Sequence, residues 1–265
     1  MKKIIILALA VVSCTFAIAQ TRGYKCTYQQ KFSLQFDKHK DMDGEMAEMI
    51  TKALGEMKTY YILTFADGKS LFELDKKNSD NPMGDFSNTV YTDMTSGIKV
   101  MQDNTMGKMF LVTDSLDEFD WTITDQTKEI NGRMCTKAVL GGSQKRLEDM
   151  QGELEDLENI DFAEIIKGST TAWFSPETPI PAGPMGFMGL PGLIVELDMQ
   201  AMKYTLTDIQ VVEDMPEVTP PTKGKKVTGK EFREIQKKKM QEMRFGGFRG
   251  DDDGPRGGFQ IMIGR

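Results

Sequence analysis

Histidine is almost absent: the 265 residues hold one, His39. That excludes a metal site built from several histidines and leaves every Ser-His-Asp or Cys-His mechanism with the same single base. His39 stands among Lys38, Lys40 and Asp41, next to an expected helix start, which is the setting of a solvated loop residue. Cysteine is nearly as scarce, three in all, and no His/Cys cluster has zinc spacing. Positive charge is short as well. There are 33 Lys and Arg against 40 Asp and Glu, a net charge of −7, which disfavours binding to nucleic-acid phosphates and, local basic patches aside, to anionic membranes. After the first twenty residues no stretch is apolar enough to span a bilayer, and no internal repeat is present.

The N-terminus is the exception to that polarity. Met1-Lys2-Lys3 is followed by an unbroken apolar run from Ile4 to Val12, and Ala17-Ile18-Ala19 supplies small residues before Gln20. Basic, then apolar, then Ala-x-Ala is the order of a secretory signal, so residues 1–19 are expected to be removed and the protein exported to the periplasm or outer membrane. A competing reading takes Val11-Val12-Ser13-Cys14 as a lipobox with Cys14 acylated, against which the chain stays largely apolar after Cys14. Cleavage leaves Cys26 and Cys135 as the one possible intramolecular pair. A bridge across so long a loop is worth about 4–5 kcal/mol on the chain-entropy model. Two buried thiols are the alternative.

The rest is mainly alternation of apolar and polar residues, the mark of half-buried strands. Tyr24, Cys26 and Tyr28 alternate with Lys25, Thr27 and Gln29. Further strands are expected at residues 60–65, 70–74, 89–92, 97–101, 108–113, 121–130, 133–140, 170–174, 193–199 and 203–212. Asp67-Gly68 and Asn131-Gly132 are hairpin turns, since both positions of each tolerate positive φ. The fold class is therefore mainly β: a curved antiparallel meander, open or partly closed into a barrel, spanning residues 20–215. Three helices are expected to interrupt or follow it. Residues 43–58 carry Met46, Met49, Ile50, Ala53, Leu54 and Met57 at helical spacing, and 144–167 form an acidic amphipathic insertion. Residues 228–244 open with a Thr228/Glu231 capping box. Pro216, Pro220 and Pro221 make 216–227 a linker, and the Gly/Arg/Asp-rich 245–265 reads as a flexible tail.

The most distinctive local sequence is Gly183-Pro184, then Gly189-Leu190-Pro191-Gly192-Leu193-Ile194 running into Val195-Glu196-Leu197. Pro191 fixes its φ, and a type II turn then needs positive φ at Gly192. Leu190 and Leu193 flank the turn and are placed to clamp it to a core. This predicts a rigid buried loop that enters a strand. The segment resembles the GLPGLI family, exported proteins found mainly in Gram-negative bacteria of the Bacteroides group. Upstream, Trp121, Ile130, Gly132, Cys135, Lys137 and Ala138, then Ala172-Trp173-Phe174 and Pro179-Ile180-Pro181, stand in that family's order over roughly Tyr60–Val212. The 144–167 insertion and the N-terminal helix depart from it. The resemblance implies an exported β-rich domain, often encoded near outer-membrane receptors, and supplies no catalytic residue.

Other chemistries have only partial signatures in the chain. Asp41-Met42-Asp43-Gly44 and Asp251-Asp252-Asp253-Gly254 mimic part of an EF-hand loop, but that register puts Ile50 or Gln260 where the bidentate Glu is required. Twenty methionines invite a soft Cu(I) site at Met185 and Met188, or at Met240, Met243 and Met262, although Met also fills irregular cores. Forty acids leave a carboxylate-dependent envelope hydrolase open without picking out a pair. The leading expectation is an exported, non-enzymatic binding or accessory module without cofactor or metal. Its partner is expected to be a lipid, a peptide or an outer-membrane receptor or barrel, and the copper-handling and hydrolase readings are the alternatives.

Overall fold

A computed structural model describes residues 22–32, 52, 55–80, 89–105, 107–141, 170–199 and 202–246. Residues 1–19, the 144–167 insertion, 43–51, 53–54 and the tail beyond 246 lie outside the described residues; of the expected 43–58 helix, Lys52, Gly55 and Glu56 are helical. The strands are β1 (Gly23–Phe32), β2 (Thr59–Ala66), β3 (Lys69–Leu74), β4 (Thr89–Asp93), β5 (Ile98–Thr105), β6 (Lys108–Ser115), β7 (Trp121–Ile130), β8 (Arg133–Leu140), β9 (Thr171–Ser175), β10 (Leu193–Asp198), β11 (Met202–Val212) and β12 (Lys225–Thr228). One helix, α1 (Gly229–Gly246), follows.

All twelve strands join one sheet in the order β12-β6-β5-β4-β3-β2-β1-β11-β10-β9-β8-β7. Two meanders, β1 to β6 and β7 to β11, are fused where β1 pairs antiparallel with β11. The expected meander is therefore present. The partly closed barrel is not, because β12 and β7 remain separate edges. Every neighbouring pair is antiparallel except β12 with β6. Asp67 and Gly68 (φ 49° and 72°), and Asn131 and Gly132 (φ 49° and 77°), make the left-handed pairs that match a tight hairpin to strand twist.

The alternation of each strand becomes a continuous apolar stripe through the register. Cys26, Leu63, Phe72, Val90, Met101, Val112 and Val227 stand opposite one another across seven strands. Directly opposed residues share a face, so this single row is buried together, Met101 in part and the other six fully. Beside it Tyr28, Tyr61, Phe72 and Tyr204 pack ring on ring, with Tyr61 and Phe72 stacked at 4.9 Å and Tyr204 edge-on to both. Burial drives the Tyr28 hydroxyl well above its ordinary pKa, so it serves as a neutral donor; it donates to the Ile194 carbonyl at 2.5 Å.

The stretch read as a linker is a strap. From the end of β11 it crosses the sheet to β6, then adds β12 at the edge. Val218 is buried with Ala66 and Tyr91, beside Leu71 and Val100, which are the residues that alternate with the main stripe. Lys69 donates to Glu217 at 2.9 Å and Gln102 to the Lys223 carbonyl at 2.7 Å. Gly224 (φ 136°) lets the backbone lie against Phe110, where a Cβ would stand 2.8 Å from its carbonyl carbon. Prolines without N–H groups suit such a crossing, because they need no partner there. The expected capping box then starts α1: the Thr228 N–H donates to Glu231 at 2.8 Å, and the Glu231 N–H to Thr228 Oγ1 at 3.2 Å. Phe232 and Ile235 seat the helix on Phe110, Val112 and Val227.

If the strap is held mainly by Val218, Val218→Ala should lower stability by about 2 kcal/mol in urea unfolding. A loss under about 0.5 kcal/mol would show instead that the strap lies loosely on the sheet.

Candidate functional site

The signature segment folds as a loop inside the curl of the sheet. Ile180, Ala182, Gly183, Pro184, Met188 and Leu190 are buried, as is the whole run Leu193–Leu197, while Gly189 and Pro191 are exposed. A bridge between Ala182 and Met188 closes the loop, and a 3-10 turn, Pro184–Gly186, forms its tip. A Cβ at Gly183 would fall 2.7 Å from Ile194 Cβ, and one at Gly186 3.0 Å from Val90 Cγ1 on β4. The loop thus touches both β10 and β4, which stand five places apart in the sheet. It fills the space that the two meanders enclose.

The reason for Gly192 differs from the expected one. The residue does not have positive φ; Gly186 (81°) and Gly189 (92°) do. What requires glycine at 192 is close approach: a Cβ there would stand 2.2 Å from the Ser175 carbonyl oxygen. Leu193 pairs with Ser175 immediately afterwards, so the turn is pressed onto the end of β9 before β10 begins.

The two cysteines are not bridged; both are free and buried. Three strands, β11, β10 and β9, stand between β1 and β8. The pairings place Cys26 in the apolar stripe opposite Leu63 and Cys135 opposite Lys128. Burial pushes the Cys26 thiol from its ordinary 9.0 up to about 12, opposed by the nearby Arg133 charge. Burial likewise lifts Cys135 to about 11, opposed by Lys128 and Arg133. Among the methionines weighed for copper, Met188 is buried and Met185 half-buried against the core. Among the described residues no group of three His, Cys, Asp or Glu is placed to hold a metal, and no helix is long and apolar enough to cross a membrane. His39 and both Asp-rich runs lie outside the described residues.

Two features stand out around this loop. The first is an ionic cluster fixed by register, with Lys137, Trp173, Glu196 and Thr205 opposed in turn across β8, β9, β10 and β11. Glu196, only 9% exposed, accepts from Lys128 at 2.9 Å and lies 3.9 Å from Lys203 Nζ. Lys203 also pairs with Asp198 at 2.8 Å, and Lys128 Nζ sits 4.2 Å from the centre of the Trp173 ring. A buried carboxylate needs such partners, and here they tie β7 to β10 and β11. The bulge between Ile194 and Glu196 on β10 turns Glu196 toward them.

The second is the free side of β7. Phe119, Trp121 and Phe187 gather where β7 starts, with Phe119 and Phe187 stacked at 4.8 Å, and the Trp121 indole donates to the Met188 carbonyl at 2.9 Å. All three rings are half-buried. Next to them Ile123 is 50% exposed. Pairing with β8 breaks between Ile123 and Thr127, where three β7 residues face one of β8. Among the described residues no strand pairs with the other side of β7. Glu118, Asp120, Asp125 and Glu129 are exposed along it. Sequence reading missed this lip. Its one signal was Phe119-x-Trp121 ahead of a strand with apolar Ile123 among polar neighbours; Phe187 reaches it only through the loop.

A family model described as "Protein of unknown function (Porph_ging)" matches residues 121–196, which run from the start of β7 through Glu196 and include the signature. No curated protein matches the chain. Two structures of PNGF-II, solved in different space groups, are similar at 12% identity with a TM-score of 0.48. They cover 81% of this chain, which spans only 33% and 32% of theirs.

Gly192→Ala should cost about 3 kcal/mol or more, because the clash is with backbone. Gly189→Ala, strained only by its φ, should cost about 1–2 kcal/mol. The reverse order in thermal unfolding would mean that the turn, and not the contact with Ser175, needs the glycine.

The thiols give a pH prediction. Their folded pKa values lie above the unfolded one, so their contribution is complete below about pH 9 and is lost as pH rises towards 11 and 12. Cys26→Ala should flatten that alkaline loss, and neither thiol should react with a thiol reagent at pH 8 until the protein unfolds. Reaction of the native protein, or an unchanged alkaline slope, would contradict the buried neutral thiols.

Proposed function

We propose that this protein is a non-enzymatic binding module of the cell envelope that takes up an extended polypeptide along the free side of β7. The observation that carries this reading is the edge of Trp121–Ile130, unpaired among the described residues, beside the half-buried Phe119, Trp121 and Phe187 rings. An edge strand presents unpaired N–H and C=O groups, and an added strand gains backbone hydrogen bonds from them while neighbouring pockets select alternate side chains. The bulge limits this to two short stretches, and the one at Trp121–Ile123 has the aromatic lip next to it.

Charge decides the kind of segment. Glu118, Asp120, Asp125 and Glu129 favour a partner that alternates apolar residues with Lys or Arg. They disfavour a second copy of β7, since pairing two such strands gathers like charges. The basic, apolar, Ala-x-Ala N-terminus supports export, and the GLPGLI resemblance supports a protein partner of the envelope, such as an outer-membrane receptor or barrel.

Selection from a displayed library of random peptides as long as β7 should return sequences alternating apolar and basic residues. Ile123→Glu and Asp125→Lys, both at exposed positions, should weaken those peptides about tenfold or more at an unchanged melting temperature. Peptides without that alternation, or binding indifferent to both substitutions, would refute the edge as the site.

A further inference from the structure

One arm of the chain carries a local excess of positive charge. Lys223 to Lys239, which spans the end of the strap, β12 and most of α1, holds eight Lys and Arg against two Glu. Elsewhere there are 25 basic residues against 38 acidic ones, from totals of 33 and 40. An excess of six positive charges therefore stands at one edge, while the other described residues hold 15 basic against 21 acidic ones, an excess of six negative charges.

The fold keeps that charge outside. Lys225, Lys226, Lys230, Arg233, Lys237 and Lys238 are exposed. Phe232 and Ile235 turn α1 toward Phe110 and Val112, so at 3.6 residues per turn Lys230 and Lys237 lie on the side away from the sheet, and Arg233 is exposed at the flank near Asp114. Of the two acids in the arm, Glu231 is taken up by the Thr228 cap, which holds its carboxyl below the usual range. The arm also occupies the sheet edge opposite β7, so an occupant there does not compete with one on β7.

We infer that this arm docks the protein on an anionic lipid surface. A flat negative surface meets the basic edge alone and leaves the acidic body facing away. At a Debye length of about 10 Å in 0.1 M salt, attraction at the near edge is then felt while repulsion of the far body is screened. A negatively charged polymer able to bend over the particle meets the acidic surface as well, which removes that advantage.

The test is co-sedimentation of the full-length protein with vesicles of phosphatidylcholine, with and without phosphatidylglycerol, at low and high salt. Wild type should sediment only with the anionic vesicles, and raising the salt should release it. The triple variant K230E/R233E/K237E should bind about tenfold or more weakly at an unchanged melting temperature. Absence of sedimentation at low salt, equal binding to both vesicle types, or undiminished binding by the triple variant would overturn the inference. Retention on an anionic polysaccharide resin without binding to vesicles would overturn it too, in favour of a glycan partner.

Discussion

The fold depends on how β10 is held. Leu193–Leu197 is buried throughout, with a bulge in its middle, and it is the strand through which the second meander reaches β11 and so the first. Its entry is pressed onto β9 at Gly192, its Ile194 carbonyl accepts from Tyr28 on β1, and its Ile194 N–H donates to Ala182. A strand apolar on both faces must be covered on both. The signature loop covers one, which is why that loop crosses to Val90 on β4 instead of running over the surface.

Glu196 is the polar counterpart of that constraint. It sits in the same buried run, and the bulge gives it Lys128, Lys203 and Thr205 as partners. A carboxylate placed there without them would be costly, so the cluster constrains register across four strands as much as it stabilises them. Lys128 reaches it from β7, whose one strand neighbour among the described residues is β8, and so adds to the hold that Trp121 has on the Met188 carbonyl at the other end of the strand.

The two edges of the sheet are treated differently. One is finished by the strap, β12 and α1, which add a small apolar cluster of their own and carry a local excess of positive charge. The other, β7, is bulged, acidic and flanked by aromatic rings. Edge strands invite pairing, and bulges and charge are the usual devices that restrict it. Here those devices leave one short stretch beside an apolar lip, which is the basis for reading the protein as a binding module.

Local alternation was enough to place eleven of the strands, and the Asn131-Gly132 and Asp67-Gly68 turns, because period-two patterning and left-handed turn residues are properties of neighbours in the chain. The Thr228/Glu231 cap was legible for the same reason. Strand β12 was not: Lys225–Thr228 is short, charged and preceded by prolines, and it is a strand only because β6 offers it an edge. Gly192 was singled out for the wrong property, since φ is suggested by sequence but an approaching carbonyl is not. Cys26 and Cys135 were paired by elimination, which carries no information about the three strands between them. The meeting of Phe119, Trp121 and Phe187, and of Glu196 with Lys128, joins residues more than sixty positions apart. The sequence by itself determined what each segment can be; the tertiary structure alone decided which edge stays open and which side chains surround it, because strand order and curl follow from long-range burial that no local pattern encodes.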